Sequence, residues 1–180
     1  MDPLAAHQRA QDAFSGVLAN VEPQQLDDPT PCRDWAVRDL IEHVIGGNER
    51  VAIRAGLGSE PPDRPGGLIE AHRATAAAAQ AVFAAPGRLT TTFELPSGPV
   101  SGSAFIWIRT SDALAHAWDL AKATDQPTGL DPELATYLLA AARENLPSGL
   151  RGRYYDDPQP CDQARPPADK LAAFLGRTVD

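Results

Sequence analysis

The chain has 180 residues, 43% hydrophobic and 22% charged, which is enough to bury one sizeable core in a single domain spanning 1–180. Its net charge of -8 comes without a Lys/Arg cluster, and aromatics are only 6%, so neither nucleic acid nor an anionic membrane is an expected partner. No apolar run approaches the roughly 18–20 residues of a membrane span, Met1-Asp2-Pro3-Leu4 is not a secretory signal, and Cys32 and Cys161 are too few for a disulfide scaffold, so the cytoplasm is the expected compartment.

Taken in order, the chain reads as mainly helical. A first helix is expected over 3–20, carrying Leu4, Phe14, Val17 and Leu18, followed by a Pro- and Asp-rich loop from Val21 to Pro31. Asp34 is the expected N-cap of a second helix over 35–55, with Val37, Leu40, Ile41, Val44, Ile45 and Val51 at helical spacing. Gly56-Leu57-Gly58 and Pro61-Pro62 should end it. An Ala-rich third helix over 67–85 closes at Pro86-Gly87. Leu89 to Ser101 reads as a short β-hairpin or irregular excursion before a fourth helix at 103–124. Asp131-Pro132-Glu133 opens a fifth helix reaching about Asn145, with acids at the positive end of its dipole. An irregular surface tail, 147–167, precedes a short last helix at 168–175.

The fourth helix carries the chemistry. At about 100° per residue, Arg109, Asp112, His116 and Asp119 share one stripe roughly 80° wide, with Phe105 and Ile108 on or beside it. Trp107, Leu114 and Trp118 lie opposite, so the helix has apolar residues on more than one face and should be largely buried. A buried row of ionisable groups must pair or bind something. Two readings stand side by side: an ion-pair stripe facing water, and a ligand set. Asp112 and His116, one turn apart, can reach one metal ion, with the third ligand coming from elsewhere. His43 on the second helix is the best candidate. One turn on lie Gly46-Gly47, which cost about 1 kcal/mol each against Ala inside a helix and suggest a backbone that must leave room for a ligand or a close neighbour. Two imidazoles and a carboxylate with open positions suit catalytic zinc, and also Fe(II) or Ni(II). His7 and His72 receive no role, Cys32 is expected to be a packed loop residue, and Cys161 looks incidental. There is no G-x-S-x-G, Walker sequence or G-x-G-x-x-G.

Thr30-Pro31-Cys32-Arg33-Asp34-Trp35-Ala36-Val37 through His43-Val44-Ile45-Gly46-Gly47-Asn48 resembles the opening motif of actinobacterial metal-binding proteins related to mycothiol-dependent maleylpyruvate isomerase. Asp112-Ala113-Leu114-Ala115-His116-Ala117-Trp118-Asp119-Leu120-Ala121 is similar to their second motif, and Leu171-Ala172-Ala173-Phe174-Leu175-Gly176-Arg177 to the ending of the compact members. The resemblance implies a DinB-like four-helix bundle with His43, Asp112 and His116 as ligands of a metal, usually zinc. The isomerase carries Glu where this chain has Asp112, and has an additional C-terminal domain for which this chain is expected to have no room.

The leading expectation is a metal-dependent transferase or cis–trans isomerase that activates a thiolate, with mycothiol as the thiol the resemblance suggests and an electrophile as second substrate. Asp119 would orient His116, Arg109 would hold a carboxylate or pair with Asp112, and Asn48 would line the pocket. The alternative is a non-catalytic metal-binding or stress-response protein. A homodimer is the expected assembly.

Overall fold

Apolar residues three and four apart give the first three bundle helices one buried face each, the fourth is buried all round over residues 113–121, and bringing these surfaces together builds the architecture. The computed structural model describes residues 1–57, 66–146, 149, 151, 152 and 154–179. The bundle consists of α1 (Pro3–Leu18), α2 (Val37–Arg54), α3 (Leu68–Ala84) and α4 (Gly102–Ala123). Helices α5 (Pro132–Asn145) and α6 (Pro167–Phe174) pack beside one another, and α6 lies against α4. The fold is mainly helical and DinB-like, with an antiparallel hairpin, β1 (Thr92–Leu95) and β2 (Gly98–Ser101), just before α4.

Side-chain pairings set the helix directions. His7 of α1 meets Gln80 of α3 and Ser15 meets His72, so these two helices are antiparallel. Helix α2 is antiparallel to α4: His43 meets Asp112, the Val44 carbonyl meets Arg109, and Val51 packs with Phe105 and Ile106. Ala6 and Ala10 lie with Ala113 and Leu114, and Phe14 and Val17 with Ala117 and Leu120, so α1 and α4 are parallel. Alanines along this seam let the two backbones approach closely. The topology is up–down–down–up, with α1 diagonal to α2 and α3 diagonal to α4.

Two expected boundaries shift by two residues, and the others by one at most. Helix α1 ends at Leu18 rather than 20, and α2 starts at Val37 rather than 35. Asp34 is not the N-cap. It takes a left-handed backbone (φ 65°) at the tip of a loop closed by a bridge between Pro29 and Ala36, a conformation that Asp tolerates better than most residues. The N-cap is Ala36, whose N–H donates to the Asp39 carboxylate at 3.0 Å. Gly58 and Pro61-Pro62, and residues 147, 148, 150 and 153 of the expected tail, lie outside the described residues. The described tail docks on α6, where the Gln159 N–H donates to the Ala173 carbonyl and Arg151 donates to that of Phe174.

A polar network crosses the bundle's centre. Gln11 of α1 and Asn48 of α2 exchange two amide hydrogen bonds, at 3.0 and 3.1 Å, across the diagonal. Gln11 also accepts from His72 Nε2 and donates to His7 Nε2, while His7 Nδ1 donates to Gln80 and His72 Nδ1 accepts from Ser15. Each imidazole therefore has one donating and one accepting nitrogen, which is the neutral form. Both rings are fully buried, and burial lowers each pKa to about 4, with Arg109 adding to the shift. The unfolded chain binds protons at these rings below about pH 6.5 while the native state does not, so acid favours unfolding.

Stability measured by urea unfolding should fall between pH 6.5 and 4 by up to about 1.4 kcal/mol per pH unit for each imidazole. His72→Gln should flatten that slope. An unchanged slope would show that His72 is not buried neutral.

Candidate metal centre

The site lies where the first half of α2 faces the middle of α4. His43 Nε2 is 3.3 Å from Asp112 Oδ1, and His116 Nε2 is 3.6 Å from the same oxygen. One ligand atom from each of the three residues lies within 4.8 Å of the other two. With zinc-to-ligand distances of about 2.0–2.2 Å, a tetrahedral centre sets neighbouring ligand atoms roughly 3.3–3.6 Å apart. Two of the three edges have that length. His43 and Asp112 keep 29% and 24% of their side-chain surface exposed, against 10% for His116, so the site opens on the His43–Asp112 side.

Two of the three candidate ligands, Asp112 and His116, are oriented by a further side chain. Arg109 Nη1 donates to Asp112 Oδ2 at 2.8 Å, leaving Oδ1 for the two imidazoles. Asp119 accepts from His116 Nδ1 at 3.0 Å, so Nε2, which faces Asp112, is the nitrogen that a metal could take in place of a proton. Asp119 is itself held by Arg177, whose Nε and Nη2 donate to its two oxygens at 3.0 and 2.8 Å. Arg177 gets there through the end of α6. Gly176 takes a left-handed backbone (φ 98°), its N–H donates to Ala173 and that of Arg177 to Ala172, a Schellman cap that turns the chain back toward α4.

The charges favour a cation at the centre. Burial would raise the Asp112 carboxyl, but Arg109 and His116 hold it well below the usual carboxylate range. Burial would lower the His116 imidazole, yet Asp112 and Asp119 raise it well above its ordinary value. Burial likewise fails to raise Asp119, because Arg177 and His116 hold it down. A divalent ion ligated by His43, Asp112 and His116 would satisfy the same field, so the donor set fits a metal.

A second ligand-type group, Cys32, His116 and Asp119, sits on the far side of the same ring. Cys32 Sγ donates to Asp119 at 3.2 Å and lies 3.7 Å from His116 Nδ1, so the cysteine reaches the site rather than serving only to pack its loop. Arg177 occupies both oxygens of that carboxylate, so the cation there is already a guanidinium.

The four stripe residues do converge, and the stripe faces α2 rather than water: Arg109, His116 and Asp119 are buried. Asn48 is fully buried and meets Gln11 and Arg109, so it supports the site from within and does not line its opening. Trp118 packs in the core, its indole N–H donating to Asp169 at 2.7 Å. Sequence reading assigned no role to Arg177 or Trp35. The Trp35 ring lies 4.7 Å from that of His43 and 5.7 Å from that of His116, covering both. Gly176-Arg177 directly after an apolar helix is the one sequence signal that could have pointed to a capped, inward-turned arginine.

Gly47 explains part of the glycine pair. A Cβ there would lie 2.2–2.5 Å from the Arg109 guanidinium, which rests directly on the α2 backbone. Helix propensity alone makes Gly47→Ala stabilising by about 1 kcal/mol. The steric conflict predicts the opposite sign, a loss of roughly 2 kcal/mol or more in urea unfolding, because the Arg109–Asp112 pair must break or shift. In an Arg109→Ala background the same substitution should cost nothing or stabilise. Additive effects in this double-mutant cycle would refute the contact.

Among the described residues no helix is long and apolar enough to cross a membrane. No solved structure matches the chain. Two uncharacterized proteins of Mycobacterium tuberculosis, from strains CDC 1551 / Oshkosh and H37Rv, are each 59% identical over 181 residues, covering 99% of this chain and 100% of the relative. A family model described as the mycothiol maleylpyruvate isomerase N-terminal domain matches residues 7–121, a span that includes His43, Asp112, His116 and Asp119 but not Arg177. The chain belongs to the mycothiol maleylpyruvate isomerase N-terminal domain family.

Proposed function

We propose that His43, Asp112 and His116 bind a divalent metal, with zinc the first choice and nickel or iron(II) next, and that the chain is a mycothiol-dependent transferase or isomerase acting on an electrophilic small molecule. The observation that carries this reading is the convergence of two imidazole nitrogens on Asp112 Oδ1 at 3.3 and 3.6 Å, at an opening partly exposed to solvent. Family membership supports the link to mycothiol. A divalent ion in a set of this kind supplies the Lewis acidity that keeps a bound thiol ionised at neutral pH.

The chain's own residues do the positioning. Asp119 holds the proton on His116 Nδ1, so Nε2 is the ligating atom. Arg177 keeps Asp119 ionised and holds both of its oxygens. Arg109 takes one oxygen of Asp112 and thereby offers the other. Trp35 covers the two imidazoles and limits water on that side. Three protein ligands leave coordination positions for a thiol or a substrate oxygen, as catalytic sites require and closed structural sites do not.

Metal content by mass spectrometry on tag-free protein is the test. Wild type should carry about one ion per chain after reconstitution with Zn²⁺, and His43→Ala and Asp112→Ala should lose it. Consumption of mycothiol with an unsaturated electrophile should then depend on the ion. Metal without turnover would leave a non-catalytic metal-binding protein, and wild type that takes up no Zn²⁺, Ni²⁺ or Fe²⁺ would remove the reading altogether.

A further inference from the structure

The glycine pair has a second half. His43, Gly46, Gly47 and Arg50 fall within about a 100° stripe of α2, so the two glycines remove the side chains that would stand between His43 and Arg50. Arg50 leans back toward the start of the helix, as helical side chains do. Its Nη1 lies 3.2 Å, and its Cζ 4.0 Å, from the point that a Cβ at Gly46 would occupy. Each glycine therefore seats one guanidinium: Gly47 the buried Arg109, Gly46 the exposed Arg50.

These two cations are short of acceptors. Arg109 has one close bond, to Asp112. Its contacts with the Val44 carbonyl and Asn48 are 3.4 Å, and its buried Nε has no acceptor. Among the described residues Arg50 makes no hydrogen bond or ion pair. Glu49 Oε2 lies 3.9 Å from the same point over Gly46, and its charge favours the charged Arg50. Partial burial and the charge of Arg109 both push the Arg50 guanidinium down from its ordinary value, with Asp112 offsetting them in part. A guanidinium fork with free N–H groups, beside a second guanidinium, is matched in charge and shape by an oxyanion.

We propose that Arg50, backed by Arg109 across the Gly46–Gly47 saddle, is the oxyanion subsite of this centre and takes the carboxylate or phosphate of a small anionic ligand. Arg50 makes the direct contact, and Arg109 is the buried cation beside it. This gives the ligand of the centre proposed above an anionic group, and rests on that reading for the site it adjoins.

The test is calorimetric titration of chelator-treated protein with succinate and, separately, with inorganic phosphate. Wild type should show saturable binding of at least one. Arg50→Gln should weaken it at least tenfold, Arg50→Lys should restore part of it, and Arg143→Gln, an exposed arginine on α5, should leave it unchanged. Binding of succinate alone assigns a carboxylate, and of phosphate alone a phosphate. No saturable binding of either anion, or an Arg50→Gln protein that binds like wild type, overturns the subsite. Zinc uptake is measured in parallel and should be the same in Arg50→Gln as in wild type. Arg50-dependent anion binding in a protein that takes up no zinc would sink the metal centre and leave the subsite standing.

Discussion

The Arg109–Asp112 ion pair is the contact on which the centre's geometry depends. It is made within one helix, three residues apart, and would be an ordinary surface pair if α4 faced water. Instead α2 closes over it. Gly47 lets the guanidinium lie against the α2 backbone, and the Gln11–Asn48 amide pair stands behind it in the bundle's interior. With Oδ2 of Asp112 engaged, only Oδ1 faces the imidazoles of His43 and His116. A single hydrogen bond therefore decides how the carboxylate presents itself. The short Asp112 side chain keeps its carboxylate within reach of Arg109.

A second line of contacts reaches the same histidine from the other direction. The chain leaves α6 through a glycine cap, and the residue it turns inward, Arg177, holds Asp119, which holds His116. The last helix thus adds more than apolar surface. It fixes the tautomer of a ring on α4 that lies 61 positions earlier in the chain (177 against 116). Cys32 and Trp35 arrive from the loop before α2, one on the Asp119 side of the ring and the other over the two imidazoles. Segments distant in sequence meet around His116, and the candidate ligand group His43, Asp112 and His116 is the common outcome of these contacts.

The interior carries a polar network around Gln11 whose members satisfy one another. Two neutral imidazoles and three amides, Gln11, Asn48 and Gln80, exchange hydrogen bonds in which each atom's role is determined by its neighbour. Such a network specifies one register of α1 against α2 and α3, because a shift of a single residue would leave several buried polar groups unpaired. It also places a positive guanidinium close to rings that must stay neutral. The same arginine that orients the Asp112 carboxylate therefore helps to keep His7 and His72 unprotonated.

The helices and the Asp112–His116 pair were legible in the sequence because they depend on local spacing. Apolar residues at a helical period, prolines and glycines at the ends, and a carboxylate one turn from an imidazole are all written within a few residues of one another. The Gly46–Gly47 anomaly was legible as a cost, although not as the seat of two arginines. The Asp34 cap failed because Ser/Asp-type capping competes with turn formation, and here the loop bridge between Pro29 and Ala36 holds Asp34 in a left-handed turn two residues before the actual cap. His7 and His72 were unreadable, since a lone histidine on an amphipathic helix shows nothing of the amides that face it from other helices. Arg177, Trp35 and Cys32 were assigned no part in the site for the same reason. The sequence by itself determined the elements, their buried faces, and the Arg109–Asp112 and His116–Asp119 pairs that lie three residues apart on one helix. The tertiary structure alone decided that Arg177, Cys32 and Trp35 gather around His116 and that Gly47 seats Arg109, because those contacts join residues tens of positions apart and exist only once the bundle has closed.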